Sequence, residues 1–172
     1  MLNTSRLNHE VEQIFLRPPK TAVDAAERWA TIYTGYTLRA DAGPLVRNPA
    51  LDNVSHRTLR LALLAPFSQN TGRTAAQFTQ DIQTALIAYW LTPPQTFIPI
   101  PPSVTGAGVT TIVPPTLAAM LLAATAGGMT LKGESGLRTA AKATAFQIDA
   151  WTRTITATIT ILPSPPAPIL IT

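Results

Sequence analysis

The chain has no cysteine, which excludes disulfides, thiolate zinc sites and cysteine nucleophiles. It has two histidines, His9 and His56, too few for a histidine-rich metal site. Charge is also scarce. Charged residues are 13% of the 172, about half the usual share for a soluble domain, while apolar residues are 46%. A disordered chain has the opposite composition, polar and charge-rich. The length suits one domain better than two. Composition therefore points to a protein that packs rather than one that reacts.

Cationic runs are missing as well. The net charge of +4 comes from 13 basic and 9 acidic residues. Through Asp81 there are nine basic and seven acidic residues, and from Lys132 to Arg153 four and two, with no cluster of either sign. Sequence-specific nucleic-acid binding wants clustered cations, so it is not expected, although a ring surrounding DNA needs only a weak positive potential. The charges vanish between Asp81 and Lys132. A solvated face normally carries charge, so this stretch is expected to be covered by its own domain or by neighbouring subunits. Lipid is the poorest cover. The cleanest apolar run, 117–129, is short of the roughly 20 residues of a spanning helix. Arg6, Glu10 and Glu12 also argue against an amino-terminal signal, and no membrane partner is expected.

Helical spacing dominates what is present. Leu7, Val11, Ile14 and Phe15 make one stripe over 5–16, ended by Pro18 and Pro19. Val23, Ala26, Ala30, Tyr33 and Thr37 make a face over 21–39, widened by Trp29, Ile32 and Tyr36. Thr21 is its N-cap, and Asp24 stands four residues before Arg28, the spacing of an outer ion pair. Gly43-Pro44 and Asn48-Pro49 predict a loop over 40–55, followed by a short helix over 56–65 that Pro66 stops. Phe78, Ile82, Leu86 and Tyr89 or Trp90 predict a helix over 74–91.

Prolines 93, 94, 99, 101 and 102 then force extended backbone, with a short strand near 109–113. Pro114 and Pro115 open another helix and Gly127-Gly128 closes it. After a turn over 132–136, a last helix over 137–152 lines up Leu137, Ala140, Ala141, Thr144, Ala145, Ile148 and Trp151. Residues 154–161 alternate Thr with Ile or Ala, a strand pattern in which Ile155, Ala157, Ile159 and Ile161 face a core and four threonines face the other way. Its partner is expected in 97–113 or in another subunit. The tail over 163–172 is proline-rich and ends in Ile169, Leu170 and Ile171, which reads as an arm docking on a neighbour.

The fold class is therefore mainly α: a bundle-like single domain over 1–162 with a small β-ribbon, plus extended proline-rich arms and a carboxy-terminal arm over 163–172. Chemistry is hard to find. Gly133-Glu134-Ser135-Gly136, with His56 and Asp81, follows the chain order of trypsin-like proteases, but a triad is geometry and these residues lie in helical context. Thr71-Gly72-Arg73-Thr74 lacks the lysine and spacing of a phosphate loop and reads as a turn with an N-cap. No catalytic, cofactor or metal residue is assigned, and no enzyme activity is expected.

Several segments together carry a resemblance: Trp29-Ala30-Thr31-Ile32-Tyr33, then Ala85-Leu86-Ile87-Ala88-Tyr89-Trp90-Leu91, a proline-rich crossing, an alanine-rich helix, and Asp149-Ala150-Trp151-Thr152-Arg153-Thr154 running into a Thr/Ile strand. This layout resembles small virion proteins of the neck and tail region of tailed bacteriophages. The resemblance implies a structural subunit at the head–tail connection, located in the virion and assembled as a homo-oligomeric ring. Its partners would be portal, adaptor or tail proteins, and no catalytic residue carries over. Alternatives are a capsid decoration or cement protein, a tail-assembly factor, a particle-borne cell-wall hydrolase and, more remotely, a membrane-active lysis protein. The residues expected at the assembly interface are Phe97, Ile98, Ile100, Ile155, Ile159, Ile161, Ile169, Leu170 and Ile171.

Overall fold

The computed structural model describes residues 2–38, 40–42, 45–68, 74–92, 97–99, 108–128, 133–160 and 167–170. Six helices carry most of them, so the protein is mainly α as its periodicity implies.

Helix α1 (Thr4–Leu16) starts where the Asn3 side chain accepts the Arg6 N–H at 3.1 Å, and it buries Leu7, Val11 and Ile14. Helix α2 (Ala22–Thr37) starts the same way at Thr21, which accepts the Asp24 N–H at 3.1 Å. Its buried face is Ala26, Ala30, Ile32, Tyr33, Tyr36 and Thr37. Val23 has the right period but lies in the first turn, 55% exposed. Arg28 donates to the Arg17 carbonyl at 3.1 Å, which fastens α2 to the end of α1.

Two short strands follow, β1 (Asp41–Ala42) and β2 (Leu45–Arg47), within the stretch expected to be loop. A 3₁₀ turn over Pro49–Leu51 then leads into α3 (Asp52–Ser68). This helix is longer at both ends than the 56–65 expected. Asn48 caps the turn by accepting the Ala50 N–H at 3.1 Å, so the Asn48-Pro49 signal begins helical backbone instead of ending a loop. Pro66 lies inside the helix in its last turn, where a missing N–H costs one bond near a frayed end.

Helix α4 (Ala75–Leu91) opens with a reciprocal cap: Thr74 Oγ1 accepts the Gln77 N–H at 3.2 Å and Gln77 Oε1 accepts the Thr74 N–H at 2.9 Å. Beyond it are β3 (Phe97–Pro99), β4 (Gly108–Ile112) and α5 (Leu117–Gly128). The last helix, α6 (Gly133–Thr152), begins four residues before the expected start. Glu134 in its first turn is favoured by the helix dipole and accepts from Arg138 at 2.7 Å, so the 133–136 segment is helix and not a free turn.

The chain ends in β5 (Thr156–Thr160) and β6 (Ala167–Leu170). The strands form two antiparallel sheets, β1-β2-β3 and β4-β5-β6. In the second, Gly108 pairs with Thr160 and Ile112 with Thr156, while Thr156 pairs with Leu170 and Ile159 with Ala167.

The core lies where the helices converge. Ala26 and Ala30 are fully buried on α2, which packs chiefly against α3, and Ala141 and Ala145 are fully buried on α6, which packs against α1 and α5. Around them pack Tyr33, Tyr36, Tyr89, Trp90 and Trp151, the largest fully enclosed side chains of the described residues. Tyr33 meets Tyr89 edge-on at 5.0 Å between ring centroids and Trp90 at 6.4 Å.

Candidate assembly surface

The aromatic core is wired by its polar atoms. Trp90 Nε1 donates to Tyr33 Oη at 2.8 Å, and Thr152 Oγ1 lies 3.0 Å from that same oxygen. Thr152 spends its own proton on the Ile148 carbonyl at 2.7 Å, so Tyr33 donates to Thr152. The Thr37 and Tyr89 hydroxyls are 2.6 Å apart. Trp151 Nε1 donates to the Pro114 carbonyl at 2.8 Å and so fixes the chain entering α5. Buried polar groups that are paired in this way specify one arrangement of α2, α4 and α6.

A charged seam joins α1 to α6. Asp149 accepts from Tyr36 at 2.7 Å, from Thr4 at 3.0 Å and from Arg153 at 3.0 Å. Burial alone would raise its pKa, but the Arg153, Tyr36 and Thr4 hydrogen bonds outweigh that and hold the carboxyl below its ordinary value. The Tyr36 hydroxyl is pushed far upward, first by burial and then by its bond to Asp149. At the other end of the seam Arg138 bridges Glu12 and Glu134.

These groups tie α1, α2 and α6 to one another. Among the described residues no group of three or more His, Asp or Glu side chains is placed to hold a metal. His56 is 3.3 Å from Thr31 and 3.5 Å from Glu27 on the α2–α3 surface, and Ser135 is exposed in the first turn of α6.

A cavity of about 110 Å³ lies among the helices, with Leu59, Leu63, Ile82, Leu86, Leu121 and Thr144 in its wall. Among the described residues the buried Thr144 Oγ1 has no hydrogen-bond partner.

Exposed large apolar side chains are spread over the described residues, with Phe146 on α6 the most exposed, and three of them fall in the charge-free stretch. That stretch is not simply interior. Leu91 is 48% exposed at the end of α4, Ile112 55% at the end of β4, and Leu122 37% on α5. Ala119 and Ala123 on α5 are exposed beside it. No helix of the described residues is long and apolar enough to cross a membrane.

The residues expected at the interface are distributed over both sheets. Phe97 and Ile98 are in β3, paired with Arg47 and Val46 of β2. Ile159 is in β5, and Ile169 and Leu170 are in β6. Ile100, Ile161 and Ile171 lie outside the described residues.

Two corrections follow. Ile155 is fully buried in the core of its own chain, at the junction of α6 with β5, and presents no surface to a neighbour. The expected arm turns back as well: Ala167–Leu170 pairs with β5 of the same chain. The alternation over 154–161 does find its partner in the expected region, since β5 pairs with β4. With β6 on its other side, β5 is central and both its edges are taken.

Sequence reasoning missed the exposed Leu91, Ile112 and Leu122. Their signal was present, because an uncharged stretch with more apolar residues than one face can hold must leave some outside. It also passed over Asp149 as a tie point, although Asp149 and Arg153 stand at ion-pair spacing on a helix. No protein family, no curated protein and no solved structure matches this chain.

Proposed function

We propose that this protein is a structural subunit of a tailed-phage particle, placed at the neck or head–tail connection, which acts by packing against copies of itself and other virion proteins without catalysis. The observation that carries the reading is the uncharged surface. Over residues 82–131 the chain has no charged side chain, yet Leu91, Ile112 and Leu122 stand exposed within it. Apolar side chains exposed in a segment that supplies no charge of its own favour cover by another protein over water. Several charged groups are engaged within the fold in a way that suits this reading: Glu12 with Arg138, and Asp149 and Arg153 through Thr4, tie α1 to α6.

Disrupting the gene in the phage tests this. The reading expects filled heads and finished tails that fail to join. Normal yields of infectious, fully joined particles would overturn it.

A further inference from the structure

Among the described residues four strands stand at sheet edges, and three of them are blunted. The strand β1 has two residues, one of them Asp41. Strand β3 contains Pro99 and β6 contains Pro168. Proline has no N–H and is confined to edge strands where the missing donor faces away from the ladder, so it caps the outer edge. Short length, charge and proline are the devices by which sheets avoid edge-to-edge pairing. The fourth edge, β4, uses none of them. It is five residues long, Gly108–Ile112, with no charge and no proline, and among the described residues it pairs only with β5. Its last residue, Ile112, is 55% exposed.

We propose that β4 is a docking edge for β4 of a second copy of this chain, forming a continuous six-stranded antiparallel sheet across a twofold axis. The partner follows from the other edges. A mate for an open edge must itself be an open edge, and within this fold the only unblunted one among the described strands is β4. Antiparallel self-pairing centred on Thr110 sets Thr110 opposite its own copy and Gly108 opposite Ile112. No charge lies on the strand itself, so two copies of β4 pair without like-charge repulsion between their own side chains.

A five-residue ladder is far smaller than the ~1,200 Å² of a standard stable interface. The pair is therefore weak and concentration-dependent unless Ile112 and the exposed face of α5 are covered too. The contact is isologous and closes at two copies, so within a particle it joins facing layers rather than neighbours around a ring. It stands on the backbone edge and does not depend on the phage reading.

The absence of native cysteine gives a direct test. In the proposed register, position 110 meets its own copy at about 4.5–5.5 Å between Cα atoms, within disulfide reach. Mild oxidation of T110C in the full chain is expected to give a covalent dimer. G108C, four residues out of register with itself, and V23C, exposed on α2, are expected to stay largely uncrosslinked. Wild-type protein is measured alongside by sedimentation and amide exchange. Sedimentation is expected to show a monomer–dimer equilibrium, with protection of the 108–112 amides rising with concentration.

The proposal is overturned if T110C links no faster than V23C, if wild type sediments as a monomer up to millimolar concentration, or if it forms oligomers larger than two. Should T110C fail to fold, the wild-type amides decide alone: protection that does not change with concentration refutes the edge. A chain found in phage particles but monomeric in solution contradicts this inference only. A dimer absent from particles contradicts the proposed function only.

Discussion

The Tyr36 hydroxyl donates to Asp149 Oδ1 at 2.7 Å across 113 positions of sequence, joining the end of α2 to the end of α6. Thr4 and Arg153 bind the same carboxylate, so three segments converge on one acid. Removing a part-buried acceptor with this many partners leaves donors unpaired. D149A is expected to cost about 2–3 kcal/mol of stability, and Y36F about 1 kcal/mol, in urea unfolding. Because the Asp149 pKa is depressed in the folded protein, its contribution is complete above the unfolded value of about 3.9 and is lost as pH falls through the lower folded value. D149N is therefore expected to flatten the acid limb of the stability–pH curve below about pH 4 and leave its shape near neutrality unchanged.

Thr144 predicts a gain. Its hydroxyl is buried beside the cavity with no partner among the described residues, which costs more than an isosteric methyl would. T144V is expected to stabilise the fold by about 1 kcal/mol, seen as a higher melting temperature. A loss of similar size would mean that the hydroxyl is satisfied in solution by water or by a neighbour.

Gly35 lies inside α2, where a Cβ would come within 2.7 Å of the Arg6 guanidinium. The obstacle is the far end of a flexible side chain and can swing aside. Alanine is favoured over glycine in a helix interior by about 0.8–1 kcal/mol. G35A is thus expected to be neutral to stabilising by up to about 1 kcal/mol in thermal unfolding. A larger loss would show that Arg6 is held firmly in place.

The cavity of about 110 Å³ is walled mainly by apolar side chains such as Leu59, Leu63 and Ile82. Apolar cavities of this order stay dry and accept small apolar guests. Crystals pressurised with xenon are expected to show an atom there. Ordered water in its place would contradict the account.

Much of the fold is legible in the sequence, for local reasons. The Thr/Ile alternation before residue 161 marks β5, and Thr21 and Thr74 mark helix starts by their own side-chain chemistry. What escaped depends on competition between neighbours or on distance along the chain. Asn48 and Pro49 suit a turn as well as a helix start, and only the cap onto Ala50 decides between them. Gly133 and Gly136 are poor helix formers, yet Glu134 and Arg138 carry the helix back through them. Val23 fits the apolar period but sits in the first turn of α2 at 55% exposure, and Leu137 fits it too yet lies 45% exposed on α6. The tail was legible as apolar but not as β6, because strand pairing is non-local and its partner cannot be read from the strand itself. The assembly residues fared similarly: hydrophobicity alone does not separate the core residue Ile155 from the surface residue Ile112.

The central claim is that this chain is built to be part of a particle, and mass spectrometry of purified phage particles tests it most directly by reading its copy number against known virion proteins. The account predicts a fixed count of a few to about a dozen copies, as for a neck layer closed by rotational symmetry. Hundreds of copies would move it to a capsid or tail-tube layer, and its absence from the particle would contradict the claim.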